Sequence, residues 1–155
     1  MKHLQVVLFA LVALFAIPAA AQTASDMQIL AQKIKADKKL VVAANMQLTE
    51  DEAKGFWPVY DAYQKDLASL NKQLVGVIKN YADAYNKGAV PDATAKKLMN
   101  DYLAVEEREL KLKRSYVPRL EKAIPGTKVA RYMQIENKIR ALFKYELAAQ
   151  IPLVQ

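Results

Sequence analysis

The chain has 155 residues and a formal net charge of +7, with no cysteine and one histidine, His3. Zinc and copper sites usually draw on imidazole or thiolate ligands, and serine and cysteine nucleophiles are usually activated by histidine. The composition therefore argues against these metal sites and enzymes, and a missing CxxCH motif excludes covalent c-type haem. We expect neither an enzyme nor a cofactor.

Residues 1–21 are typical of a secretory signal peptide. A basic start, MKH, precedes an apolar run that is too short to span a bilayer comfortably, and the small residues of PAAAQ follow. The shortness of this apolar run disfavours the alternative interpretation, in which the segment is a membrane anchor. We expect cleavage after Ala21, which removes Lys2 and His3 and leaves one domain, residues 22–155, with a charge of +6. We predict a Gram-negative periplasm, with an extracellular destination as the alternative and no nucleic-acid partner.

Four segments have helical periodicity, and almost nothing is typical of a strand. The first runs from about Asp26 to Asn45. The second opens with a capping box made by Thr49 and Glu52 and ends at about Tyr85. Its apolar residues recur at alternating steps of four and three, which predicts an unbroken heptad seam. The seam consists of Phe56, Tyr60, Tyr63, Leu67, Leu70, Leu74, Val77 and Tyr81.

The third segment runs from about Asp92 to Ala123, and Thr127 is predicted to cap a fourth that ends near Gln150. The third has an apolar stripe, interrupted by Glu109, of Leu98, Tyr102, Val105, Leu112, Tyr116 and Leu120. The fourth carries Val129, Tyr132, Ile135, Ile139, Leu142 and Phe143. Long helices joined by short turns predict an all-α antiparallel hairpin or bundle, packed on itself or on a second chain.

Two prolines lie inside the predicted helices. Pro58 follows the capping box by more than two turns, and Pro118 lies late in the third segment. An interior proline removes a backbone donor and clashes with the preceding turn, at a cost of about 3 kcal/mol. Both positions are therefore predicted to bend their helices.

The stretch LTEDEAKGFWPVYDAY, residues 48–63, resembles the LTxxQ-type motif of the Spy/CpxP group of periplasmic helical proteins. Leu48 and Thr49 match, whereas Glu52 stands where the motif has glutamine, and either residue can close a capping box. The FWP-Y-Y pattern and the later stretches ARYMQIENKIRA and YELAAQIPLV are similar to a proteobacterial branch of that group. The resemblance covers nearly all of residues 22–155.

This resemblance implies bent helical hairpins, often assembled as a dimer with a concave face. It implies an ATP-independent chaperone or an adaptor of envelope-stress signalling. Some relatives bind metal through histidines that this chain lacks, so we do not predict metal sensing. In a cradle of this kind Pro58 and Pro118 would supply the curvature.

Two groups of residues are candidates for protein binding. Phe56, Trp57 and Tyr60, with Tyr63, form either a client-binding patch or part of the core, and heptad spacing favours the core. Lys111, Lys113, Arg114 and Arg119 either attract acidic clients or anionic lipid, or form a solvated helix face. Favourable i,i+4 pairs are predicted from Glu107 to Lys111 and from Glu109 to Lys113.

Three carboxylates, Glu109, Glu136 and Glu146, lie on or near the apolar seams. The functional interpretations are that paired carboxylates act in general acid–base catalysis, or that they bind a hard cation. Structural pairing, with Arg108 and Arg131 as the candidate partners, is favoured because a buried charge must be paired.

The leading hypothesis is therefore a periplasmic, cofactor-free protein of chaperone type that holds unfolded or stress-related proteins, with a homodimer expected. The alternative is a sensor or adaptor that docks on a membrane-bound signalling partner. The sequence does not separate the two.

Overall fold

A computed structural model describes residues 38–155. Four helices account for most of this part of the chain: α1, of which residues 38–46 are described, α2 (Glu50–Tyr85), α3 (Asp92–Glu121) and α4 (Gly126–Gln150). The prediction of an all-α helical bundle is confirmed. The predicted signal peptide, and the predicted first helix from Asp26 to residue 37, lie outside the described residues.

The start of α2 is built as the sequence predicts. The Thr49 hydroxyl accepts a hydrogen bond from the Glu52 backbone N–H at 3.3 Å, and the Glu52 carboxylate accepts one from the Thr49 N–H at 2.8 Å. Lys128 donates to the same carboxylate and to the Gln47 carbonyl at 2.9 Å, and so ties the start of α4 to the α1–α2 turn. The hydrogen bond from Lys128 is the main reason that the pKa of Glu52 is lowered.

Prolines cap α3 and α4, which makes the prediction for Thr127 wrong. Helix α4 begins at Gly126 with Pro125 as its N-cap, and no side chain caps it. The Pro125 carbonyl accepts from the N–H groups of Lys128 and Val129 at 2.8 and 3.0 Å. Thr127 is the second residue of the helix, which begins two residues earlier than a cap at Thr127 would give, because the ring of Pro125 fixes φ at −58° and the Pro125 carbonyl begins the first turn.

Helix α3 is antiparallel to α2. The rings of Tyr63 and Tyr116 are 5.2 Å apart, and further along α2 the Arg108 guanidinium donates to Gln73 at 2.6 Å. Residue numbers therefore rise along one helix as they fall along the other, as the short α2–α3 connection predicts.

Helix α4 runs parallel to α2, and α1 is antiparallel to both. Phe56 meets Tyr132 near the start of α2, and the side chains of Asn71 and Arg140 meet further along both helices at 2.8 Å. Lys38 of α1 contacts both Gln64 of α2 and Glu136 of α4 at 2.8 Å.

The heptad seam of α2 forms the centre of the core, as predicted. Its first six members are buried and the last two, Val77 and Tyr81, are partly buried. The α3 stripe is also buried or partly buried, with one exception: Tyr102 is 41% exposed. Tyr102 lies beside the end of α4, where the helices separate around a cavity described below.

Pro58 and Pro118 lie inside α2 and α3, and both are exposed. The helices continue through them. Neither proline can donate to the carbonyl four residues earlier, on Lys54 and Arg114.

Candidate functional site

The aromatic residues at the start of α2 form an internal cluster. Phe56 and Tyr60 are buried, and the ring of Phe56 meets that of Tyr132 edge to face at 5.1 Å. Trp57 is only partly buried, and the Lys39 ammonium lies 5.1 Å from the centroid of its ring. The structure thus brings the three predicted residues together, but it places Phe56 and Tyr60 in the core and only Trp57 at the surface.

Burial also determines the protonation of the tyrosines in this cluster. It raises the pKa of Tyr60, Tyr63 and Tyr132, and the negative charge of Glu136 raises each of them further. The three phenols are therefore neutral across the physiological range. Their hydroxyl groups differ in one respect: that of Tyr132 accepts a hydrogen bond from Gln64 at 3.2 Å, whereas that of Tyr63 has no partner within the described chain.

That difference gives a matched prediction. Removing a buried hydroxyl that has no hydrogen-bond partner removes a desolvation penalty. Removing the Tyr132 hydroxyl instead takes away a hydrogen-bond acceptor of the Gln64 amide. We expect Tyr63→Phe to leave the free energy of unfolding unchanged or to raise it by about 1 kcal/mol, and Tyr132→Phe to lower it by about 1 kcal/mol. Urea unfolding of both variants measures this. Equal losses would show that the Tyr63 hydroxyl is hydrogen-bonded in solution.

Glu109, which interrupts the apolar stripe of α3, is buried in a network of charges. The Arg140 guanidinium donates twice to one of its oxygens, at 2.6 and 2.9 Å, and the Lys113 ammonium contacts the other at 2.8 Å. Arg140 also donates to Asn71 at 2.8 Å. Burial would raise the pKa of Glu109, but the bonds from Lys113 and Arg140 outweigh burial and hold it below its usual value.

Glu136 is the second buried carboxylate. It accepts hydrogen bonds from Lys38 at 2.8 Å and from Gln64 at 2.9 Å, and so joins α1, α2 and α4. Glu109 and Glu136 are thus structurally paired, as the favoured interpretation predicts. Glu146, the third predicted carboxylate, is partly buried.

The predicted arginine partners are wrong. Arg108 contacts Gln73 instead, because residues adjacent on a helix point about 100° apart and Glu109 faces a different neighbour. Arg131 lies 3.5 Å from the carbonyl of Asn45, at the end of the bundle beside α1.

The basic run of α3 divides into two pairs. Lys113 belongs to the buried network described above, and the guanidinium of Arg119 lies 4.3 Å from the centroid of the Tyr116 ring. Lys111 and Arg114 are exposed and form no ion pair with any residue from 38 to 155. Only these two of the four predicted cations are fully available to a partner.

Of the two predicted i,i+4 ion pairs on α3, one forms. Lys113 contacts Glu109, whereas the predicted pair of Glu107 and Lys111 is absent from the described structure. Both of the latter side chains are exposed. Such pairs stabilise a helix by only about 0.2–0.5 kcal/mol, so hydration competes with them readily.

An exposed apolar surface on α3 was missed from the sequence. Met99, Leu103 and Leu110 are 55%, 51% and 52% exposed, and their spacing of four and seven places them on one side of the helix. We call these three residues the α3 apolar face. Exposed apolar side chains grouped on one side of a helix are typical of interaction sites. The sequence contained one indication of this surface, because all three are large apolar residues that fall outside the stripe predicted for α3.

The α3 apolar face adjoins a cavity of about 490 Å³ at the end of the bundle farthest from the aromatic cluster. We call it the end cavity. Its volume lies within the range of about 300–1,000 Å³ found for ligand pockets. The Tyr81 hydroxyl donates to the Pro152 carbonyl at 2.8 Å and holds the C-terminal tail along one side. The apolar lining includes Leu98, Met99, Tyr102, Leu147, Ile151 and Val154.

Among residues 38–155, the lining of the end cavity carries little charge. Its charged pair is Glu106 and Lys144, whose side chains contact at 2.7 Å. The tail leaves Leu153 88% exposed at the rim. The cavity and the α3 apolar face adjoin at Met99, which belongs to both.

No protein-family model, no curated protein and no solved structure matches this chain. Among the described helices, none is long and apolar enough to cross a bilayer. Within the same residues, no group of three or more potential ligand side chains is arranged to hold a metal ion.

Proposed function

We propose that this protein is a periplasmic, cofactor-free chaperone-type protein that holds unfolded or stress-damaged proteins. The observation that carries the proposal is the exposed apolar area of the α3 apolar face and the end cavity. Unfolded chains expose apolar side chains, and burial of such surface drives association without ATP. The resemblance to the Spy/CpxP group supports the same function and the same compartment, and a homodimer is proposed with them.

The position of two cations supports binding of clients that carry acidic residues. Lys111 and Arg114 are exposed on α3, and Arg114 follows Leu110 by one helical turn. Apolar contact next to unpaired positive charge suits a chain that is partly apolar and partly acidic. The charge accelerates encounter, and the apolar surface then retains the client.

The aggregation of a chemically denatured model client tests the proposal. Stoichiometric protein should suppress light scattering, and Leu103→Ser with Leu110→Ser should abolish most of that suppression. The control is Leu40→Ser with Val75→Ser, which changes two other exposed apolar residues, 66% and 63% exposed on α1 and α2. Circular dichroism confirms that both double variants are folded.

Absence of suppression by the wild-type protein would contradict the chaperone proposal. Equal loss in both double variants would contradict the assignment to the α3 apolar face. In the first case, docking on a signalling protein becomes the better hypothesis, and a deletion strain should then show an altered envelope-stress response.

The role of charge is a separate prediction. Lys111→Glu with Arg114→Glu should slow client association about tenfold at low salt, and the difference should shrink as salt shortens the reach of the charges. The fold should be intact, since exposed charges contribute only about 0–1 kcal/mol each. Stopped-flow association with a labelled acidic client measures the rates.

Lys65→Glu with Lys72→Glu is the matched control for this prediction, because it makes the same change in net charge on the exposed side of α2. Similar slowing in both variants would assign the effect to overall charge. No slowing in either variant would show that Lys111 and Arg114 are solvated surface residues with no role in client association.

A further inference from the structure

The end cavity is polar at one end and apolar along the rest of its length. Glu106 is the last residue of α3 in its lining, Lys144 is the first residue of α4, and their side chains contact at 2.7 Å. Since α3 and α4 are antiparallel, the lining leads away from this pair in one direction, back along α3 to Ala95 and forward along α4 to Ile151. At about 1.5 Å per residue, it extends about 16 Å along α3 and about 10 Å along α4.

This shape suits one kind of small molecule. Ligand pockets usually combine a largely apolar lining with a few polar groups that fix the orientation of the ligand. In the end cavity those polar groups stand together at one end, and the opposite end is closed by the contact between Tyr81 and Pro152. A ligand that fills the cavity therefore has an extended apolar body and a single polar end, which describes a single-chain amphiphile.

The charged pair determines which polar end fits. Glu106 and Lys144 carry opposite charges, so a charged group placed beside them is repelled by one of the two and also loses its hydration. One oxygen of Glu106, Oε1, is buried and has no hydrogen-bond partner among residues 38–155. The Lys144 ammonium donates to Glu106 and to no other acceptor in the same part of the chain. A neutral hydroxyl can accept from the ammonium and donate to the carboxylate.

We propose that the end cavity binds a neutral single-chain amphiphile, with its hydroxyl group at Glu106 and Lys144 and its apolar chain directed toward Pro152. This site goes beyond the proposed function and does not depend on it. Leu103 and Leu110, which dominate the α3 apolar face, are not part of the cavity lining. A client can therefore bind to that face whether or not the cavity is occupied.

Three probes with the same chain and different polar ends test the proposal: decanol, decanoate and decylammonium. Isothermal titration calorimetry, with the protein titrated into each probe, measures the dissociation constants. We expect decanol to bind at least about tenfold more tightly than either charged probe, because each charged end is desolvated beside a like charge. Equal affinities for the three probes, or no binding of decanol, would overturn the proposal.

Charge variants test where the polar end lies. Glu106→Gln leaves Lys144 unpaired and should reverse the preference, so that decanoate binds more tightly than decanol. Lys144→Gln leaves the carboxylate unpaired and should favour decylammonium instead. Both side chains are partly exposed, at 31% and 41%, and circular dichroism confirms that both variants are folded. An unchanged order of affinities in both variants would contradict the assignment of the polar end to this pair.

A matched pair of tryptophan variants tests the place of the chain. Ala148 and Ala149 are both exposed near the end of α4, but only Ala148 lines the cavity. Ala148→Trp should fill the cavity and weaken decanol binding at least about tenfold, whereas Ala149→Trp should bind it as the wild type does. Equal binding by the two variants would overturn the proposal.

The variant Leu103→Ser with Leu110→Ser separates this site from the proposed client surface. It should bind decanol with the affinity of the wild type, even where it no longer suppresses aggregation. Loss of decanol binding in this variant would place the amphiphile on the α3 apolar face and would contradict a site in the end cavity.

Discussion

Glu109→Ala is expected to lower the free energy of unfolding by about 3 kcal/mol. The substitution leaves the Arg140 guanidinium, whose side chain is 12% exposed, without its carboxylate, and it leaves Lys113 without its partner. Breaking a buried ion pair by removing one member typically costs about 3–5 kcal/mol, because the remaining charge is desolvated and unpaired. Urea unfolding followed by circular dichroism measures the loss.

Glu107→Ala is the matched control, since it removes the same side chain two residues away at an exposed position. We expect a change within about 0.5 kcal/mol. The double variant Glu109→Ala with Arg140→Met should recover part of the loss, because an apolar side chain replaces the orphaned charge. A loss of less than about 1 kcal/mol in Glu109→Ala would show that water reaches Arg140.

The same residue predicts how stability depends on pH. The pKa of Glu109 in the folded chain lies below its ordinary value of 4.5, so the folded state favours the ionised form. Its contribution is therefore complete above about pH 4.5 and is lost as the pH falls through the lower folded pKa. We expect the wild type to lose stability below pH 4.5 more steeply than Glu109→Gln. Parallel curves for the two proteins would contradict the lowered pKa.

The second large effect is expected in the core. Leu120 is 1% exposed and packs in the cluster that contains Phe56, Tyr116 and Val129. Leu120→Ala should lower the free energy of unfolding by about 2–5 kcal/mol, since it removes buried methyl groups and leaves a cavity that the helices only partly fill. Thermal and urea unfolding both measure this.

Leu110→Ala is the control, because it makes the same change ten residues earlier on α3, at a position that is 52% exposed. In a monomer we expect a loss within about 0.5 kcal/mol. A larger loss that grows with protein concentration would place Leu110 in an interface between two copies of the chain. An equal loss at every concentration would contradict the exposed position of Leu110.

The local elements of this protein follow from its sequence alone. The heptad spacing on α2 predicts the buried side of that helix, and the structure confirms it from Phe56 to Tyr81. The capping box is also predicted, because Thr49 and Glu52 are three residues apart and each side chain bonds to the other's backbone. Both features depend on spacing within one helix, which the period of 3.6 residues determines.

The partners that the buried charges find on other helices were decided by the tertiary structure. The i,i+4 spacing predicts Lys113 as one partner of Glu109, and that pair forms. The partners from other helices, Arg140 of Glu109 and Lys38 of Glu136, are 31 and 98 residues away. A search among nearby arginines selects Arg108 and Arg131, which point elsewhere. Partner choice depends on how the helices are placed against each other, and helix periodicity carries no information about that placement.

The surfaces available to a partner were likewise decided by packing. Leu103 and Leu110 are the same residue type as Leu98 and Leu120, yet the first two are about half exposed and the last two are buried. Which side of α3 meets α2 and α4 settles the difference. The sequence therefore determined the helices and the apolar seam of α2. The heptad spacing already favoured the core for Phe56 and Tyr60, and the structure buries both. Only the tertiary structure showed that Met99, Leu103 and Leu110 are at the surface, because exposure depends on which neighbouring helix covers a residue.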